Sequence, residues 1–192
     1  MSLLIAALLA TASDGPQYPV ADVLDAARSV CDVVLANDDP AALVIAAGWI
    51  SYTPKAGSGM EQSLREEKEI YGSSSRVFAK MVAGRAIFAF VNSVQTKDGH
   101  LRLCMAEDNL AEIQSAPEQI IHWAGRSPFD NGIHLPGDLQ KGFDDLSFMR
   151  SWKPGLNQSA NDTVIRYLPR KYGGSKGGLS YTSERLVEVS SQ

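Results

Sequence analysis

The stretch from Arg76 to Ala106 limits the possible folds of this chain more than any other. It holds three strand-like runs, Arg76 to Val82, Arg85 to Val94 and His100 to Ala106, separated by Ala83-Gly84 and by Thr96-Lys97-Asp98-Gly99. An Asp-Gly pair between two such runs is a strong hairpin signal, because tight hairpin turns need backbone conformations that these residues tolerate. Turns this short make neighbouring strands antiparallel. Ala86-Ile87-Phe88-Ala89-Phe90-Val91 is apolar without alternation, which predicts a strand in the middle of the sheet with both faces covered. Helices are then expected on at least one face. In the third run Leu101, Leu103 and Met105 share a phase, so Cys104 and Arg102 point to the opposite side, where a helix is expected to lie.

That helix is read from the N-terminal part. Val20, Val23, Leu24, Ala27, Val30, Cys31, Val34 and Leu35 recur at helical spacing and place Cys31 on a buried face. Asp39-Pro40 opens a short apolar helix through Ala47, which Gly48 stops. Trp49 to Thr53 read as a strand, Lys55 to Gly59 as a loop, and Met60 to Ile70 as a mostly exposed helix closed by Gly72. Beyond the hairpins, Pro117 to Trp123 form one more short helix, and Gly125 to Gly142 read as a long irregular loop, a common place for function. Thr163 to Leu168 and Leu179 to Val187 read as a final pair of strands. The expected architecture is α+β: a central antiparallel meander of about five strands packed by the N-terminal helices.

The first residues bear on compartment. Leu3 to Ala10 are continuously apolar, Ala10-Thr11-Ala12 follows, and Ser13-Asp14-Gly15-Pro16 turns polar. This is the order of a signal-peptide h-region, an A-x-A cleavage site and a mature start, so residues 1–12 read as an export signal and residues 13–192 as a single domain. The apolar run is far shorter than the about 20 residues a membrane span needs. No Lys or Arg precedes it, and the competing reading is a buried first helix ending at Gly15. Cys31 and Cys104 lack C-x-x-C spacing, so neither a zinc site nor a thioredoxin-type centre is suggested. In an exported chain they suit a bridge, and in a cytosolic one they suit buried thiols.

Composition excludes some partners. The net charge is −4 and the 18 Lys and Arg residues are dispersed, which leaves no basic stripe for a phosphate backbone, so nucleic acid is not expected as a partner. A chain of 192 residues buries roughly 70% of its unfolded surface, so its core needs no cofactor for support, and none is expected.

Candidate sites are few. His122, Asp130 and His134 offer acid/base groups within a short span, against the plainer reading of surface or core histidines; no metal-ligand spacing is matched. Lys171, Gly173, Gly174 and Lys176 suggest an anion wrapped by backbone N–H groups, against a flexible hairpin loop. Cys104 as a nucleophile has no supporting motif. The charged face of Glu61, Arg65, Glu66, Glu67, Lys68 and Glu69 is expected to be solvated. Trp49, Trp123 and Trp152 are expected to pack in or beside the core. Asn157-Gln158-Ser159 and Asn161-Asp162-Thr163 match the glycosylation acceptor pattern and point to an exposed loop.

A short signal, a helix carrying Val30-Cys31-Asp32, Ala-Ala-Gly-Trp at residues 46–49 and a second cysteine in a later strand together resemble a group of small exported, periplasmic proteins of Gram-negative bacteria with no assigned activity. The resemblance covers about half the chain, implies an envelope location and a Cys31–Cys104 pair, and transfers no catalytic residue. The leading expectation is a periplasmic or secreted, non-enzymatic domain that binds a small ligand or a protein partner. The alternatives are a small hydrolase-like enzyme with its site in residues 122–142, and a cytoplasmic interaction protein.

Overall fold

The computed structural model describes residues 17–72, 75–97, 99–129, 147–169 and 178–188. The elements run α1 (Val20–Ala36), α2 (Ala41–Ala46), β1 (Ile50–Ser51), α3 (Gly59–Tyr71), β2 (Arg76–Val82), β3 (Arg85–Thr96), β4 (Gly99–Asp108), α4 (Ala116–Ala124), β5 (Phe148–Trp152), β6 (Asp162–Leu168) and β7 (Gly178–Glu188). The strands form one antiparallel seven-stranded sheet in the order β1-β2-β3-β4-β7-β6-β5. The α+β class holds. The expected five-stranded meander is corrected to two meanders that meet where β7 pairs with β4. β5 was not anticipated, and the strand expected over Trp49 to Thr53 shrinks to Ile50–Ser51, whose ladder with β2 is followed by one more hydrogen bond, from the Tyr52 N–H to the Val77 carbonyl at 2.8 Å.

The β2–β3 hairpin turns at Ala83-Gly84, with φ of 47° and 78°. Positive φ at both central residues is the geometry whose twist matches that of paired strands, and Gly84 supplies the half that alanine adopts reluctantly. α1 lies across the sheet over β4 and β7, with contacts to β3 and β2. Its buried residues are the eight positions that helical spacing singled out, Val20 through Leu35. They meet Ile87, Ala89, Val91, Cys104, Ala106, Ile165 and Tyr181 from the sheet.

Cys31 and Cys104 are bridged, with Cα atoms 5.3 Å apart, and both are fully buried. This excludes Cys104 as a nucleophile and ties α1 to β4 at the middle of their contact. The apolar run of β3 alternates in burial after all. Ile87, Ala89 and Val91 are buried beneath α1, whereas Phe88 and Phe90 on the other face are half-buried and Ala86 is exposed. Trp49 and Trp152 belong to the core, and Trp123 is held at the α1–α4 junction, its indole N–H donating to Asp25 at 3.1 Å and its ring beneath the Arg28 guanidinium.

Two buried polar assemblies secure the ends of the sheet. Asp108 accepts hydrogen bonds from the Tyr18 hydroxyl at 2.9 Å, from Arg85 Nε and Nη2, and from the Leu110 N–H at 2.8 Å. Burial and the adjacent Asp108 carboxylate push the Tyr18 phenol well above its ordinary range. On the other side Asn157 accepts from the hydroxyls of Tyr181 and Ser183 and donates to the Arg28 carbonyl of α1 at 3.0 Å. Thr163 and Ser183 share a hydrogen bond of 2.8 Å. Asn157 is only 5% exposed, which corrects the exposed-loop reading of its tripeptide: this amide serves the core and is closed to a glycosyl donor. Asn161 is exposed.

Candidate functional site

Polar side chains concentrate where α1 stops short of the sheet it covers. Cys104 faces α1, so His100 and Arg102, at alternate positions of the same strand, share its face. Across the ladder Arg102 pairs with Ser93 and His100 with Gln95, extending the buried Cys104–Val91 row in polar form. These four residues floor a cleft of about 510 Å³. Val34, Asn37, Asp38 and Pro40 from the end of α1 and the α1–α2 loop form one wall, and Gly72 and Arg76 form another.

The end of α1 explains the charges. Its last turn carries no basic residue, and the carbonyls left free there attract cations. The sheet supplies them. Arg102 Nη1 donates to the Leu35 carbonyl at 2.9 Å, and Arg185, its ladder partner on β7, donates to the same oxygen at 3.3 Å. Arg102 Nη2 also binds Asp38, while Arg76 Nη1 binds Asp39 at 2.9 Å. The Arg76 hydrogen bond, with its charge, holds the Asp39 carboxyl below the usual carboxylate range. The two ion pairs are unequal in burial. The Arg102 side chain is 13% exposed and Asp38 97%; Arg76 is 59% exposed and Asp39 79%.

Of the residues singled out by sequence, His122 is exposed on α4 and borders a separate groove with Tyr18, Asp22, Gln119 and Trp123. Its proposed companions Asp130 and His134 lie outside the described residues, as do Lys171, Gly173, Gly174 and Lys176 and the signal reading of residues 1–12. Among the described residues no group of three or more His, Cys, Asp or Glu is placed to hold a metal ion, and no helix is long and apolar enough to cross a membrane. The cleft residues were missed by sequence reading. One signal was available: in β3 and β4 the phase that carries Val91 and Cys104 turns polar at Ser93, Gln95, His100 and Arg102.

The cleft offers guanidinium, imidazole, hydroxyl, amide and carboxylate groups around open space, a lining suited to holding a polar ligand. Comparisons with protein-family models, with curated proteins and with solved structures return no match for this chain.

Proposed function

We propose that this chain is an exported α+β domain, secured by its Cys31–Cys104 bridge, that binds a small polar ligand in the cleft at the C-terminal end of α1. The cleft itself carries the reading. About 510 Å³ is the scale of sites that take small molecules, and the lining comes from α1, β2, β3 and β4, whose relative positions the disulfide helps to fix. Export is supported by the buried disulfide, since cytosolic thiols are kept reduced, and by the apolar run and A-x-A order of residues 3–12. A protein purified from its native host tests both halves. Intact mass should show loss of residues 1–12 and two thiols that alkylate only after denaturation and reduction. A ligand retained through native purification should raise the melting temperature by mass action, and Arg76→Gln with His100→Ala should abolish that shift. An uncut chain with both thiols free defeats export. A ligand effect that survives both cleft substitutions defeats the site.

A further inference from the structure

Each arginine of the cleft is paired with an aspartate of the α1–α2 loop, and in each pair the carboxylate is the more exposed partner. Arg102 is the extreme case: its guanidinium is nearly enclosed and anchored on Leu35, while the carboxylate it holds stands in water. Such a pair contributes little to stability, because the exposed side chain loses rotamer freedom and its charge is screened. A carboxylate from a ligand can take the place of Asp38 without moving Arg102. It can then add contacts that Asp38 does not make, to Ser93, Gln95 and His100 on the floor.

The second arginine extends the argument. Arg76 pairs with Val91, two residues before Ser93, and β3 separates β2 from β4. Strand spacing and rise put the Arg76 and Arg102 backbones about 12 Å apart, with long side chains lining the same cleft. One ligand of modest size can engage both if it carries an anionic group toward each end. Guanidinium groups favour planar carboxylates, which accept two parallel hydrogen bonds.

Resting on the cleft reading above, we propose that the ligand is a small polycarboxylate that displaces Asp38 from Arg102 and directs a second carboxylate to Arg76 in exchange for Asp39. Asp38 is then a built-in competitor. Its removal strengthens binding, the opposite of what a cleft for cations or for neutral polyols would show.

The test is a titration of the full disulfide-bonded protein with citrate at constant ionic strength, followed through backbone amide NMR shifts, with sorbitol as a neutral probe of similar size. The expected result is saturable shifts at Ser93, Gln95, His100 and Asp38. Asp38→Ala should tighten citrate binding by about threefold or more and Arg76→Gln should weaken it by a similar factor. Both sites are exposed, so both variants are expected to keep the wild-type spectrum elsewhere, and Asp39→Ala gives an independent second competitor to remove. Citrate binding that Asp38→Ala and Asp39→Ala leave unchanged or weaken overturns the displacement. Cleft shifts with sorbitol and none with citrate overturn the polycarboxylate class and keep the small-ligand reading. Shifts with neither probe overturn both.

Discussion

Breaking the Cys31–Cys104 bridge opens a closed loop of 73 residues that contains α2, β1, α3, β2 and β3. On the chain-entropy argument a loop of this length restrains the unfolded chain by about 4 kcal/mol. Domains are stable by only about 5–15 kcal/mol in total, so this one covalent bond accounts for a large share of the margin. The folded side changes less. Both sulfurs are enclosed in the core beneath α1, and two thiols occupy nearly the same space as small apolar groups. The assay is equilibrium urea unfolding of the oxidised protein, of the protein reduced while unfolded and refolded in reductant, and of a Cys31→Ala/Cys104→Ala variant. The reduced protein should lose about 4 kcal/mol, and its transition should be steeper because an uncrosslinked unfolded chain exposes more surface. A chain that is unfolded without urea once reduced is the same result at lower total stability. A loss below about 1 kcal/mol, with unchanged steepness, refutes the reasoning, for it means the unfolded ensemble already holds α1 near β4 without the bond.

Four further perturbations follow from the buried polar groups. Asp108→Ala leaves the Tyr18 hydroxyl and the Arg85 guanidinium without their shared acceptor and should cost about 3 kcal/mol in the same urea assay; a cost under about 1 kcal/mol would mean water replaces the carboxylate. Asn157→Ala strips partners from Tyr181, Ser183 and the Arg28 carbonyl and should cost about 2–3 kcal/mol, with amide exchange in α1 accelerating first. Burial pushes the Glu107 carboxyl above its ordinary value of 4.5. The folded state therefore holds this proton more tightly, and the stability it contributes, fully present below pH 4.5, is lost as pH rises through the elevated value. Glu107→Gln should flatten that slope and stabilise the protein near neutrality, and a slope unchanged in the variant would assign it to another group. Burial likewise pushes the Tyr181 phenol from 10.0 up to about 12, so stability should fall as pH rises from 10 through 12, with tyrosine ionisation by absorbance lagging that of model phenols.

Much of the architecture was legible in local pattern. The buried stripe of α1 from Val20 to Leu35 was complete in the spacing of its apolar residues, because which face a helical residue occupies depends only on its place in the turn. The Ala83-Gly84 hairpin, the antiparallel pairing of β3 with β4 and the helix end at Gly72 were readable for the same reason: each is decided by backbone preferences within a few residues. The start of α3 was not read from sequence: the structure shows Ser58 as its cap, accepting from the Glu61 N–H, with Glu61 accepting from the Gly57 N–H.

What escaped was nonlocal. β5 follows a glycine-rich stretch, and Phe148-Met149-Arg150-Ser151-Trp152 has no pattern long enough to mark it apart from its pairing with β6. Asn157 looked like loop surface and is a buried connector, because its value lies in reaching Arg28 across the core. The sequence by itself determined the helical face of α1, the antiparallel hairpins and the side on which Cys104 and Arg102 lie, since these follow from dihedral preference and side-chain period. Only the tertiary structure decided that β7 joins β4, that Cys31 meets Cys104, and that α1 ends above Arg102 to leave the cleft open. Those contacts join residues far apart in the chain, and their stability comes from packing and loop closure, which no local window of sequence contains.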